Sequence, residues 1–77
     1  MIMEQNWMQM LEKYRKDINK AYVAQMQGMQ PNLAAYHHAI GMLEGYAQAC
    51  FDAGIATEEE YSMMLQQIDL IKNGGTL

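Results

Sequence analysis

The sequence predicts an all-α fold: a three-helix unit with helices at about 4–27, 33–53 and 58–72, and antiparallel neighbours. Three observations predict it. Apolar residues recur at three- and four-residue spacing in three stretches. Gly28 with Pro31, and then Ala53 with Gly54, interrupt the chain between those stretches. No Val-, Ile- or Thr-rich alternating run is present to build a strand.

In the first stretch Trp7, Leu11, Tyr14, Ile18 and Ala21 form a short heptad-like seam that Met10, Tyr22 and Met26 widen. Gly28 is a natural helix stop, and either Asn32 as a cap or Pro31 in the first turn starts the next helix. That second helix is apolar on two sides. Leu33, Tyr36, Ile40, Leu43, Ala47 and Cys50 make one row, and Ala35, Ala39, Met42, Tyr46, Ala49 and Ala53 make another beside it. Both rows need covering, so the helix is expected at the centre of the unit or at an interface between chains. Thr57-Glu58-Glu59-Glu60 reads as a capping box that also places acids at the positive end of the third helix. Tyr61, Met64 or Leu65, Ile68 and Ile71 give that helix one apolar face, and Asn73-Gly74-Gly75 closes it, leaving residues 74–77 as a frayed tail.

Seventy-seven residues make a single helical domain, 1–77, near the size at which a lone core yields only ~3 to 5 kcal/mol and further support is needed. Self-association is expected on that ground. Leu, Ile, Val and Phe are scarce, but nine Met, five Tyr and many Ala bring the apolar share to 51%, so a folded, Met-rich helical protein is favoured over a disordered one. Methionines at helical spacing are expected in the core. The one cysteine forms no intramolecular disulfide, the N-terminus lacks the pattern of a signal peptide, and no stretch approaches a membrane span of ~20 apolar residues. A cytoplasmic protein with no membrane partner is the expectation.

Within the second helix Gly41, Gly45, Ala49 and Ala53 lie four residues apart, with Met42 and Tyr46 beside them. Interior glycines cost roughly 1 kcal/mol each against alanine, so their spacing predicts a close approach by another helix. The third helix of the same chain is the first choice to fill that strip, ahead of a second copy or a ligand. On this reading Gly45→Leu overpacks a tight contact.

Candidate chemistry is sparse. His37 and His38 are adjacent, which points them about 100° apart on a helix, and neither has a metal-binding residue three or four positions on. No metal and no cofactor is expected. Cys50 sits among Tyr46, Ala47, Ala49 and Phe51 without a base, so it reads as a buried thiol, and no catalytic residue is assigned. Charge is lopsided: residues 1–30 sum to +1 and residues 31–77 to −5. Lys13, Lys16 and Lys20 share a face of the first helix and, with Tyr14 or Tyr22, are a candidate anion site; the plainer reading is a solvated face with a Glu12–Lys16 pair. The net charge of −4 disfavours duplex DNA.

The run Gly45-Tyr46-Ala47-Gln48-Ala49-Cys50-Phe51-Asp52-Ala53-Gly54-Ile55-Ala56-Thr57-Glu58-Glu59-Glu60-Tyr61 resembles the helix, Ala-Gly turn and Thr-Glu-Glu-capped helix of small accessory proteins of phages and mobile elements. Such proteins include anti-CRISPR and other anti-defence factors, which occupy a surface of a host complex or sequester a signalling nucleotide. The resemblance covers residues 45–61 and carries over no functional residue. With the residues, it leads to a non-enzymatic homo-oligomeric module that binds and inhibits a partner protein. The alternatives are an oligomeric binder of a nucleotide or other anionic ligand, and a structural subunit of a larger assembly.

Overall fold

Local chemistry sets each helix end. In the computed structural model, which describes residues 2–74, the order is α1 (Ile2–Met26), α2 (Leu33–Asp52) and α3 (Glu58–Lys72), with no strand among the described residues. At the end of α1, Gly28 turns to φ +71°; its N–H donates to the Gln25 carbonyl at 3.1 Å and the Met29 N–H to the Ala24 carbonyl at 2.7 Å. At the end of α2, Gly54 does the same at φ +75°, with the Ile55 N–H reaching back to Cys50 at 2.9 Å. Both are Schellman closures, which need the left-handed conformation that glycine adopts without a Cβ clash.

Asn32, not Pro31, starts α2, its Oδ1 accepting from the Ala35 N–H at 3.2 Å. The capping box of α3 is reciprocal: Thr57 Oγ1 accepts from the Glu60 N–H at 3.1 Å, and Glu60 Oε1 from the Thr57 N–H at 2.9 Å. Three expected boundaries move slightly. The first helix begins two residues earlier and ends at Met26, and Ala53 is the C-cap of α2 rather than its last turn. Gly74 lies at φ +77° beyond α3; the rest of the expected tail, 75–77, lies outside the described residues.

The helices pack as a bundle in which α2 is the shared partner of α1 and α3. The connections of a few residues force antiparallel neighbours, so α1 and α3 run alike and α2 against both. At 25 residues α1 is roughly 37 Å long, and it sets the 42 Å long axis of the molecule. The core takes Trp7, Leu11, Tyr14 and Ile18 from α1, Ala39, Ile40, Leu43, Ala47 and Cys50 from α2, and Met64, Ile68 and Ile71 from α3, with Ala56 from the last connection. No polar or charged residue is buried among the described residues. The Trp7 indole N–H finds a partner 60 residues away, donating to Gln67 Oε1 at 2.6 Å.

Candidate functional site

The first row of α2 is core apart from exposed Leu33 and half-buried Tyr36, whereas the second is covered less: Ala39 is fully buried, Ala35 and Tyr46 are half-buried, and Met42, Ala49 and Ala53 are exposed. Gly41 and Gly45 are also exposed, and a Cβ added at either would meet nothing within 4 Å. The expectation that α3 fills this strip is therefore corrected. Residues facing α3 lie on the other flank of α2, where Phe51 stacks on Tyr61 at 4.7 Å and Gln48 accepts from the Tyr61 hydroxyl at 2.7 Å. Gly45→Leu, expected to overpack a tight helix contact, meets no such contact within the chain, because a Cβ at Gly45 points into open space.

Tyr46 belongs to the packed side. Its ring stacks on Trp7 with centroids 6.0 Å apart and planes at 19°. Burial, and then the neighbouring Cys50 thiol, push its phenol above the ordinary value of 10.0. The unfolded chain ionises this phenol near the ordinary value while the fold holds the proton longer. Its contribution to stability is thus complete below the unfolded value and is lost as pH rises through the folded one. Thermal unfolding followed from about pH 8 to about pH 11 should show a gentler alkaline loss for Tyr46→Phe than for the parent. An equally steep loss in both would assign the effect elsewhere.

The methionines overturn their expected place. Of those with described side chains only Met64 is buried and Met10 is half-buried, while Met8, Met26, Met29, Met42 and Met63 are 41% to 72% exposed. The reason is competition: Trp7, Leu11, Ile18, Leu43, Ile68 and Ile71 fill the space between three short helices, and little interior remains.

The lysine face does not close into a cavity. Lys13 and Lys16 line a shallow depression with Met8, Gln9 and Glu12, and Lys20 is exposed outside it. Tyr14 is buried under this face, with Lys13 Nζ 5.4 Å from its ring centroid, and Tyr22 lies in a different cleft. The expected Glu12–Lys16 pair is replaced by Glu12 with Arg15 at 3.6 Å.

A site that the residue patterns above do not single out lies at the α1–α2 end. Val23, Met26, Met29 and Leu33 are exposed there by 40% to 72%. Next to them a cleft of about 240 Å³ runs between Ala21, Tyr22, Gln25, Pro31, Tyr36, His37 and Lys72. A signal in the sequence marks this end: between Lys20 and Glu44 the chain contains no Asp, Glu, Lys or Arg. Apolar side chains exposed without charges among them, beside a cleft edged with phenol, amide and imidazole groups and the Lys72 side chain, match the make-up of a protein-binding surface. His37 edges this cleft, and His38 places its ring edge-on to Tyr14 at 6.0 Å. Among the described residues no three His, Cys, Asp or Glu side chains are grouped closely enough to hold a metal ion, and no helix is long and apolar enough to cross a membrane.

The fold and this site define a small three-helix bundle with an apolar, Met-rich end whose cleft Lys72 also lines. Comparison with protein-family models, with curated proteins and with solved structures finds no match.

Proposed function

We propose that this protein is a non-enzymatic interaction module that binds a partner protein through the α1–α2 end and blocks the surface it covers. One observation carries the reading: Val23, Met26, Met29 and Leu33 are exposed together in a segment without formal charge. Methionine suits such a surface because its unbranched, polarizable side chain adapts to a partner's shape. The adjoining cleft is large enough for an apolar side chain of the partner, with Tyr22, Gln25 and His37 at its edge to accept or donate hydrogen bonds. Occlusion of a partner's surface requires no chemistry from this chain, and it is the role proposed for this end.

The test is affinity capture from the source cell or its host, using the parent chain and Met26→Glu/Met29→Glu in parallel. Both positions are exposed, so the double variant should keep its helical circular dichroism and melting temperature while losing most of the captured protein. Equal capture by both chains would place binding elsewhere and defeat this assignment.

A further inference from the structure

Lys72 is the one lysine that the fold draws partly out of water: Lys13, Lys16 and Lys20 are exposed, whereas Lys72 is half-buried at the end of α3. It is also the only charged residue lining the cleft of about 240 Å³, to which all three helices contribute. We infer that the partner enters this cleft with an apolar side chain that has a carboxylate beside it, and that Lys72 receives the carboxylate. The inference rests on the preceding assignment of the α1–α2 end and names the chemistry of what docks there. The buried Ile18 and Ala21 lie at the base of the cleft, with half-buried Tyr22 and Tyr36 at its sides. A cavity of roughly 150 Å³ is enough to hold a benzene ring. This cleft therefore takes a phenyl-sized group with room for a short polar arm.

Charge complementarity selects the carboxylate. No Asp or Glu lines the cleft, and the only ion pair among the described residues is Glu12 with Arg15 on α1. Glu44 and Asp69 line a neighbouring depression that Lys72 also borders, but neither pairs with it. A cation partly withdrawn from water loses hydration that no described carboxylate offsets, and a partner's carboxylate supplies that offset. Gln25 and His37, at the edge of the cleft, carry N–H donors, which suit a group that only accepts. The His37 ring stands edge-on to Tyr36 at 5.3 Å. Tyr22 is fixed from the α3 side, its ring so close to Gly74 that a Cβ there would collide with it. The cleft is thus held in shape before a partner arrives, which lowers the cost of binding.

Amide NMR titration of the full chain with hydrocinnamate, a phenyl group on a short carboxylate arm, tests the inference. Hydrocinnamate should shift the signals of Tyr22, Tyr36, His37 and Lys72 with a dissociation constant in the millimolar range. Hydrocinnamamide and phenylpropylamine, of similar shape without the negative charge, should bind about tenfold more weakly or worse. Lys72→Met should weaken hydrocinnamate by about tenfold or more with helicity and melting temperature unchanged, and Lys72→Arg, which keeps the charge, should retain it. Capture of the partner should fall with Lys72→Met and with saturating hydrocinnamate. Equal binding of the three probes, or hydrocinnamate binding Lys72→Met as well as the parent, would overturn the proposal. So would undiminished capture by Lys72→Met, which would leave the cleft to a free small acid. Met26→Glu/Met29→Glu should still bind hydrocinnamate, since neither methionine lines the cleft. If that variant captures the partner unchanged, the assignment of the α1–α2 end fails; if hydrocinnamate is indifferent to Lys72, this inference alone fails.

Discussion

Trp7→Ala should leave the chain largely unfolded at room temperature. Trp7 is 4% exposed although it lies near the start of α1, and it touches both other helices: its ring stacks on Tyr46 of α2, and its N–H donates to Gln67 of α3. Removing a buried tryptophan costs about 3 to 5 kcal/mol in lost transfer energy and unfilled space. A core of this size supplies about the same amount, so the loss and the reserve are comparable. Far-UV circular dichroism should show helicity well below the parent's. Trp7→Phe separates the two contributions, since it keeps most of the apolar contact but leaves Gln67 Oε1 without its donor, at about 1 to 3 kcal/mol. Removing the acceptor instead, with Gln67→Met, should cost a similar amount. The double variant should cost less than the sum of the two, because the bond can be lost only once. Strict additivity would mean that the Trp7–Gln67 bond does not hold α1 to α3.

Leu43→Ala should have an effect nearly as large, for a different reason. Leu43 has no exposed surface and lies midway along α2, the helix that packs against both others. Deleting its buried isobutyl group costs about 2 to 5 kcal/mol, and the upper part of that range applies where neighbours cannot collapse into the space. Here the neighbours are held by three separate helices, so collapse is restricted. For a domain of this size each kcal/mol moves the melting temperature by about 4 to 8 °C, and the variant should melt at least 10 °C below the parent, or about 2 kcal/mol. Leu43→Met, which conserves volume, should cost under about 1.5 kcal/mol. If Leu43→Ala melts within a few degrees of the parent, α2 does not occupy the centre of the bundle.

The features behind these variants and the candidate site differ in how far they can be read from sequence. The seam Trp7, Leu11, Tyr14, Ile18 and Ala21 is legible because a helix converts spacing into a face, and each of these residues is buried. The Thr57–Glu60 capping box and the glycine stops at Gly28 and Gly54 are equally legible, because the atoms that make those bonds lie within six residues of one another. The candidate site was legible in one respect only, the charge-free run from Lys20 to Glu44, which marks a surface without saying whether it faces inward.

What only the tertiary structure decided is the competition for interior space. Two rows of α2 were apolar enough to be covered, and the volume between three short helices sufficed for one row and part of the second. The methionines, flexible and replaceable in packing, were left outside while branched and aromatic side chains filled the core. Spacing along a helix determines which residues share a face, because that geometry is local. Which face is buried depends on how much surface the other helices bring to it, and that is settled only when the chain packs.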